Sequence, residues 1–577
     1  MVEGDKPKVI PSRMGYNTIP SVVAVDGNGK LLVGHLARRQ MLVNPRNTIY
    51  GSKRLIGRRF SSATVQEIKR YFTYELVPAD GDSIAVKFGN QVLTLPQISA
   101  LILQEVREVA EDYFGAQVHR AVISVPAFYN ERQRSAVKEA GHIAGLTVER
   151  IVSEPTAAAL AYGAQRTAKQ RVLIYDLGGG TFDASVVEIK GGDFQVISTG
   201  GDTFLGGVDF DNRLLSQVLY EFLDETGVDL ARYPVVVQRL RDACEAAKVE
   251  LSELNRSEIR VPFVAKINGE PRNIAREVQV DELRSLTTDL VERTLSVCRE
   301  VLAAKGHGPE NLDAVLLVGG QSRFPLIHER IEAEFGQAPS KAVHPDEAVA
   351  LGTALLAHSI GGSHSFRFRD VLPMSLGIGV PGGKCVRVVE RNTLLPFEKR
   401  YKISATPGED GGFELMVFQG EGNRVEDNEY LGTVTLRSEA GPQAGKAAYA
   451  VLFSLSQECI LTVTATDLAT NEEVQAVMAA SDTSDSIRAK LARPPGAAAP
   501  APHPGGTVPL ERPPLDEPAR AVVSEPAAGA PSAPGAGAAP PAPAELPPAD
   551  EQIPPSGGFF SGLLGKLGLR RGSSRRD

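Results

Sequence analysis

Between Asp176 and Asp183 the sequence sets two carboxylates on either side of three consecutive glycines, Gly178, Gly179 and Gly180, followed by the hydroxyl of Thr181. Residues without Cβ let a loop bring its backbone N–H groups close to a bound anion. Carboxylates beside such a loop offer the oxygen ligands that a hard cation such as Mg²⁺ prefers. The pattern points to phosphate held with a metal ion; a β-hairpin closed by a glycine turn is the alternative. It is neither a Walker loop nor G-x-G-x-x-G, and a strand comes after the glycines, which disfavours a dinucleotide fold. The flanking elements read as strands: Val172 to Tyr175 form an apolar run, and Val186, Val187 and Ile189 resume it.

At 577 residues the chain should hold several domains, and 42% hydrophobic with 23% charged residues is ordinary for globular protein. A net charge of −8 gives no electrostatic footprint for nucleic acid. Cys244, Cys298, Cys385 and Cys459 lie far apart without a CxxC, which points to a reducing compartment. The N-terminus has no apolar leader core and no stretch reaches transmembrane length, so the expected location is cytoplasmic.

Up to about Ile360 the texture is mixed α/β. Ile98 to Tyr113 is helical by spacing, with Ile98, Ile102, Val106, Val109 and Tyr113 on one face. Ala121 to Val125 is a buried strand ending in Pro126, and Glu131 to Gly145 a helix with Arg134 and Lys138 four apart. Leu214 to Leu254 is mostly helix, and Ala314 to Val318 a strand running into Gly319 and Gly320. From Phe366 to about Ala480 the pattern becomes short alternating strands, at Lys384–Val389, Arg400–Ala405, Phe413–Gln419, Gly432–Leu436, Ala448–Leu455 and Cys459–Asp467, spaced as in a sandwich. Ser484 to Arg493 suits a brief helix. Pro494 to Pro555 is Pro/Ala/Gly-rich and cannot bury a core, so a disordered spacer is expected. The closing GGFFSGLLGKLGLRRGSSRRD is apolar, then basic: a membrane-surface or partner-docking helix, or a disordered tail.

Further segments belong with the glycine loop. SEPTAAALAYG (Ser153 to Gly163) sets Glu154 ahead of a proline-started helix, and VPAFYNERQR (Val125 to Arg134) continues from a strand end. GGDTFLGGVDFDNR (Gly200 to Arg213) is a second glycine loop with acids, and CEAAKVELS (Cys244 to Ser252) offers Glu245 and Lys248 one turn apart. LLVGGQSRFP (Leu316 to Pro325) and HPDEAVALG (His344 to Gly352) complete the set. Together these resemble the heat-shock 70 kDa (DnaK-type) molecular chaperones, on the α/β actin-like ATPase fold, over most of Met1 to about Asp482. SLGI (Ser375 to Ile378), RNTLLP (Arg391 to Pro396) and VFQGE (Val417 to Glu421) resemble that family's peptide-binding β-sandwich.

The resemblance implies a two-lobed nucleotide-binding domain over 1–362, a linker over 363–373, an all-β sandwich substrate-binding domain over 374–482, a spacer over 483–555 and a tail over 556–577. It implies that Asp176 to Thr181 wrap the β- and γ-phosphates, with Asp176 holding the metal through water, Thr181 giving a hydroxyl and Asp183 an acid near the ions. Gly206 and Gly207 of the second loop join this site. Lys53, in KRLIGRRF, matches the catalytic lysine, whose ammonium stabilises charge on the transferred phosphoryl and orients the attacking water. Glu154 matches the glutamate between metal-bound water and the conformational switch, while Pro126, Arg134 and Asp370 match the relay to the other domain. Glu245, Lys248, Ser252, Gly319, Gly320, Ser322, Arg323 and Asp346 match the adenosine pocket. In the β module Ile378, Phe413 and Leu415 are expected in an apolar peptide cleft; alternation puts Phe413, Leu415 and Val417 on one face, with Val417 assigned to core. Implied cofactors are ATP/ADP and Mg²⁺, with K⁺ as a second ion. Implied partners are unfolded or extended polypeptides, a J-domain co-chaperone and a nucleotide exchange factor. The expected function is ATP-driven capture and release of unfolded segments; the alternative is a nucleotide-sensing scaffold or regulator with little or no ATP turnover.

Four departures qualify that expectation. The family opens with a strand–glycine turn–strand carrying Asp-Leu-Gly-Thr-Thr, and Met1 to Val9 aligns with the segment just after that hairpin. About 15–20 residues, two central strands, are lacking. Unpaired backbone groups and an opened core are expected there, and a start called too late is favoured over true truncation. The linker FRFRDVLP (Phe366 to Pro373) keeps Asp370 but alternates Phe and Arg, so Phe366 and Phe368 should dock with Arg367 and Arg369 outward. Phe204 and Val208 stand where a histidine and an acid are usual. No helical lid comes after the sandwich, so bound peptide should leave quickly, and the tail is a candidate occupant of the cleft in cis.

Overall fold

A computed structural model describes residues 1–4, 6–89, 91–164, 166–361, 366–405, 412–437, 447–468, 473–475 and 478–479. The expected Ser484–Arg493 helix, the spacer and the tail lie outside them. Met1–Ala265 with Pro271–Ala498 form one compact unit; of the second unit only the turn Lys266–Glu270 is among the described residues.

The first unit is built around a five-stranded sheet in the order Ala314–Val318, Gln170–Leu177, Phe182–Lys190, Asp193–Asp202 and Arg367–Arg369. Val172 to Leu177 are all buried, as the apolar run Val172 to Tyr175 requires of a strand covered on both faces. The helix Glu154–Gly163 packs on this sheet and Ala348–Gly361 packs on that helix, and Val152, Leu160, Ile174, Ile189 and Leu356 share one buried cluster.

The other lobe is less continuous. Arg120–Val125 pairs in parallel with Thr147–Ser153, while Leu31–Val33, Val23–Val25 and Thr48–Ile49 form a separate three-stranded sheet. Among the described residues Arg120–Val125 has no second strand partner, and Ala121 to Ser124 are only half-buried. The helix Leu95–Phe114 opens with a Thr94–Gln97 capping box and buries Ile98 and Val109, but Val106 and Tyr113 are exposed, so the expected face is only partly covered. The long helical stretch breaks into Gly207–Thr226 and Pro234–Glu250, because Gly227 takes φ +70°.

The C-terminal strands form two antiparallel sheets. One orders Lys384–Val389, Leu376–Val380, Gly412–Gln419, Glu429–Arg437 and Met478–Ala479; the other Phe397–Ala405, Ala447–Leu455, Leu461–Asp467 and Glu473–Gln475. Leu376, Leu415, Val417 and Val434 from one meet Tyr449, Val451, Phe453 and Val463 from the other in a common core. Cys459 sits in the turn before its strand at φ +62° rather than within it. The four cysteines are unpaired. No helix among the described residues is long and apolar enough to cross a membrane.

Candidate active site

The antiparallel register of Gln170–Leu177 with Phe182–Lys190 sets Asp176 opposite Asp183, so the hairpin itself brings the two carboxylates together. Both are buried. Burial and then the charge of Glu154 push the Asp183 carboxyl up to about 7, against the Phe128 N–H, Lys53 and Arg134. Asp176 is pushed well up by the same two causes and by Asp183, with Lys53 opposing. Asp183 Oδ1 accepts the Phe128 N–H at 3.0 Å, while Oδ2 is buried with no hydrogen-bond partner among the described residues. A buried carboxylate oxygen left unpaired is costly until a proton or cation meets it, so this donor set fits a hard divalent ion.

Lys53 lies in the tight turn Ser52–Arg54, and the Tyr129 hydroxyl donates to its carbonyl. Its ammonium donates to Glu154 Oε1 at 2.7 Å. Removal from water pulls that ammonium down, but Glu154, Asp176 and Asp183 outweigh the effect and hold it above the ordinary lysine value. Glu154 opens the helix Glu154–Gly163 with Pro155 behind it, a place where helix N–H groups favour an acid.

The two glycine loops lock together through backbone. Gly178 N–H donates to Thr181 O at 3.0 Å, and the N–H groups of Gly207 and Val208 donate to Gly178 O and Gly179 O at 3.0 and 2.9 Å. A Cβ on Gly206 would stand 2.6 Å from Gly180 N, so only glycine permits this approach. Gly319, at φ +83°, lies as closely against the Leu177 carbonyl and Gly178 N. Among the described residues the N–H groups of Gly179 and Gly180 have no acceptor, which leaves them as donors for an anion. Arg54 adds a contact that its position in the sequence does not announce: Nε donates to Gly180 O at 2.8 Å and Nη2 to Asp209 Oδ2 at 2.6 Å. Its one signal is its place beside Lys53.

Most of the expected adenosine-pocket residues hold one another. Ser322 Oγ donates to Gly319 O at 2.6 Å, and Arg323 pairs with Asp346 beside His344. Gly320 lies close to Asp346. Glu245 pairs with Arg38 at 2.8 Å, and Ser252 Oγ reaches the Lys248 carbonyl at 3.4 Å. The Lys248 ammonium is directed to Asp211 at 2.8 Å and to Gly207 O at 3.0 Å, so it braces the second glycine loop.

Of the three residues expected in the relay, Pro126 and Arg134 belong to one turn and Asp370 meets Ser153. Arg134 is buried and donates to Tyr129 O and Ala127 O at 3.1 and 2.9 Å, clasping the turn that starts at Pro126 and carries Phe128. Asp370 Oδ2 accepts from Ser153 Oγ at 2.9 Å, one residue before Glu154. Beside them Glu458 of the β module accepts from Lys138 and from the Ile151 N–H, both at 3.0 Å. Ser153 and Glu458 carry no signal of their own in the sequence; each gains its role from a partner more than two hundred residues away. Arg367–Arg369 adds as a parallel edge strand to Asp193–Asp202, with Phe368 stacked on Phe194 at 5.4 Å and Arg367 outward, paired to Asp193 at 3.0 Å. Phe204, unexplained in the sequence, carries the Arg58 guanidinium over its ring at 4.6 Å. The Val208 side chain is partly exposed, and its backbone makes the bond to Gly179 O described above.

In the β module Leu415 is 3% exposed and packs with Val417 in the common core, with Ile378 at its margin. Met416 and Phe418 face a second buried cluster, so the expected alternation is present with both faces covered. The Phe413 side chain lies outside the described residues.

A protein-family model described as Hsp70 protein matches residues 1–492 of the 577. The chain therefore belongs to the Hsp70 family of ATP-binding chaperones, which implies an actin-like ATPase fold.

Proposed function

We propose that this chain hydrolyses ATP to control capture and release of extended apolar segments of unfolded proteins, in the manner of a DnaK-type chaperone. The observation that carries the reading is the Lys53–Glu154 pair, 2.7 Å apart and set against Asp176, Asp183 and the glycine loop. Asp176, through water, and Asp183 would hold Mg²⁺, which supplies charge neutralisation at the phosphates; K⁺ would take a second place near them. The Gly179 and Gly180 N–H groups and Thr181 would receive phosphate oxygens, and Gly206 and Gly207 would close the loop over them. Lys53 would stabilise charge on the transferred phosphoryl and orient the attacking water. Glu245, Ser252, Gly319, Gly320, Ser322, Arg323 and Asp346 would border the adenosine, with Lys248 as a brace.

Residues 1–362 would be the nucleotide-binding domain, 363–373 the linker, 374–482 a peptide-binding β-sandwich with Ile378, Phe413 and Leu415 toward its cleft, 483–555 the spacer and 556–577 the docking tail. Leu415 reaches a peptide only if the two sheets shift. The Ser153–Asp370 bond supports a route from Glu154 to the linker, with Pro126 and Arg134 beside it. A J-domain co-chaperone and an exchange factor would act on this cycle in the cytoplasm. Among the described residues Arg120–Val125 has a strand partner on one side only, which favours a second reading, a nucleotide-sensing scaffold with little turnover. Steady-state ATP hydrolysis by the full chain with Mg²⁺, with and without an unfolded client, separates them. Client-stimulated turnover supports the chaperone; nucleotide binding without turnover supports the scaffold.

A further inference from the structure

Arg54 stands one residue after Lys53, and its guanidinium reaches both glycine loops. The turn it closes is seated in one core, where Leu55 and Ile56 are buried with Val23, Tyr129 and Ile151. The first glycine loop hangs from another, where Val172 and Ile174 of its leading strand are buried with Leu160 and Leu316. Between the two, Arg54 Nε donates to Gly180 O at 2.8 Å and Nη2 to Asp209 Oδ2 at 2.6 Å. An added Cβ at Gly180 would stand 3.3 Å from Nε, so the guanidinium lies directly against the loop. Asp209 is the third residue of the helix Gly207–Thr226, and its Oδ2 also takes the Gly206 N–H at 2.8 Å. One carboxylate oxygen thus joins Arg54 to the close approach at Gly206. The Arg54 carbonyl is held as well: Arg58 Nε donates to it at 3.0 Å, while Arg58 Nη2 donates at 2.8 Å to Thr203 Oγ1, in the turn leading to Gly206. The Arg54 and Asp209 side chains are 14% and 24% exposed, which shields the pair well beyond an ordinary surface bridge.

We propose that Arg54 is a positioning residue for the nucleotide site, a latch that holds the Lys53 turn against both glycine loops and sets how fast nucleotide leaves. The proposal rests on the ATP-binding reading of this cleft. The Gly180–Thr181 peptide is trans, so fixing its carbonyl on Arg54 also fixes the opposite direction of the Thr181 N–H. The same side chain therefore orients a residue of the glycine loop and holds the turn of Lys53. Two N–H groups on one edge of a planar guanidinium span the carbonyl and the carboxylate; an ammonium is a single point and cannot hold both in place. Parting the turn from the loops breaks both bonds together, so a side chain that makes neither lets the cleft open more often.

The test uses the full-length protein with Mg²⁺ as Arg54→Ala, Arg54→Lys, Asp209→Asn and the Arg54→Ala/Asp209→Asn double variant. Two rates are measured: dissociation of a fluorescent ADP analogue chased with unlabelled ADP, and single-turnover hydrolysis of bound ATP. Arg54→Ala should release the analogue about tenfold faster and hydrolyse bound ATP about tenfold more slowly, because Lys53 is no longer held in line. Arg54→Lys should restore neither rate, since it keeps the charge and loses the two-point grip. Asp209→Asn, whose amide oxygen can still accept the Gly206 N–H, should also speed release, and the double variant should exceed Arg54→Ala by little. A parental value of either rate in Arg54→Ala, restoration by lysine, or effects that multiply in the double variant overturns the proposal. If Arg54→Ala does not fold, Arg54→Lys decides: faster release supports the latch, and parental release overturns it. If the parent binds the analogue without turning over ATP, the ATPase reading fails and the release cycle alone decides the latch.

Discussion

Asp211 is buried against Lys248, yet burial outweighs the lysine and pushes its carboxyl up to about 6. The folded chain thus binds that proton more tightly than an unfolded one with an ordinary aspartate. The stability it contributes is complete below the ordinary aspartate range and is lost as pH rises through about 6. Melting temperature should accordingly fall less steeply across that window in Asp211→Asn than in the parent, and equal slopes would contradict the assignment. Gly206→Ala forces a methyl group onto Gly180 N and should cost nucleotide affinity at least tenfold, measured by titration calorimetry; unchanged affinity would show that the two loops are free to separate. At this scale the glycine loop with Asp176 and Asp183 was legible from residue type, and the hairpin register sets the two carboxylates opposite each other, whereas Lys53 and Glu154, which pair at 2.7 Å, were singled out only through the family resemblance. It was silent on Arg54, Ser153 and Arg58, since an arginine or serine acquires its role from distant partners that no spacing encodes.

Among the elements, the linker strand shows how a pattern can be legible while its partner is not. Alternating Phe and Arg from Phe366 to Arg369 foretold one buried and one exposed face, and the side chains obey it. That the strand joins Asp193–Asp202 in parallel was beyond reach, because an edge is chosen by the whole sheet. Phe368→Ala removes the stack on Phe194, an interaction of about 1 kcal/mol beyond its buried area. Trypsin should then cut after Arg367 and Arg369 several-fold faster; an unchanged rate would mean the backbone pairing alone holds the linker. The strands read at Lys384–Val389, Arg400–Ala405, Phe413–Gln419, Gly432–Leu436, Ala448–Leu455 and Cys459–Asp467 were placed within a few residues, since period-2 alternation marks half-buried strands well, whereas Leu376–Val380, short and interrupted by glycines, was not read as a strand. The Leu95–Phe114 face was read too widely, because neighbours elsewhere in the fold decide which positions of an apolar stripe are covered.

For the whole molecule, contacts between the β module and the nucleotide half include those of Lys138 and the Ile151 N–H with Glu458 and of the Arg59 guanidinium with the Tyr430 ring. Lys138→Ala and Glu458→Ala should each speed linker cleavage, and the double variant should do so by less than the product of the two; independent effects would show that this ion pair does not couple the halves. The most direct test of the whole reading is ATP hydrolysis by the parent and by Lys53→Ala, both with Mg²⁺. If Lys53 does the chemistry, the parent turns over and the variant is slower by about a hundredfold or more with nucleotide affinity nearly intact. Equal rates in the two proteins, or none above background in the parent, would contradict it.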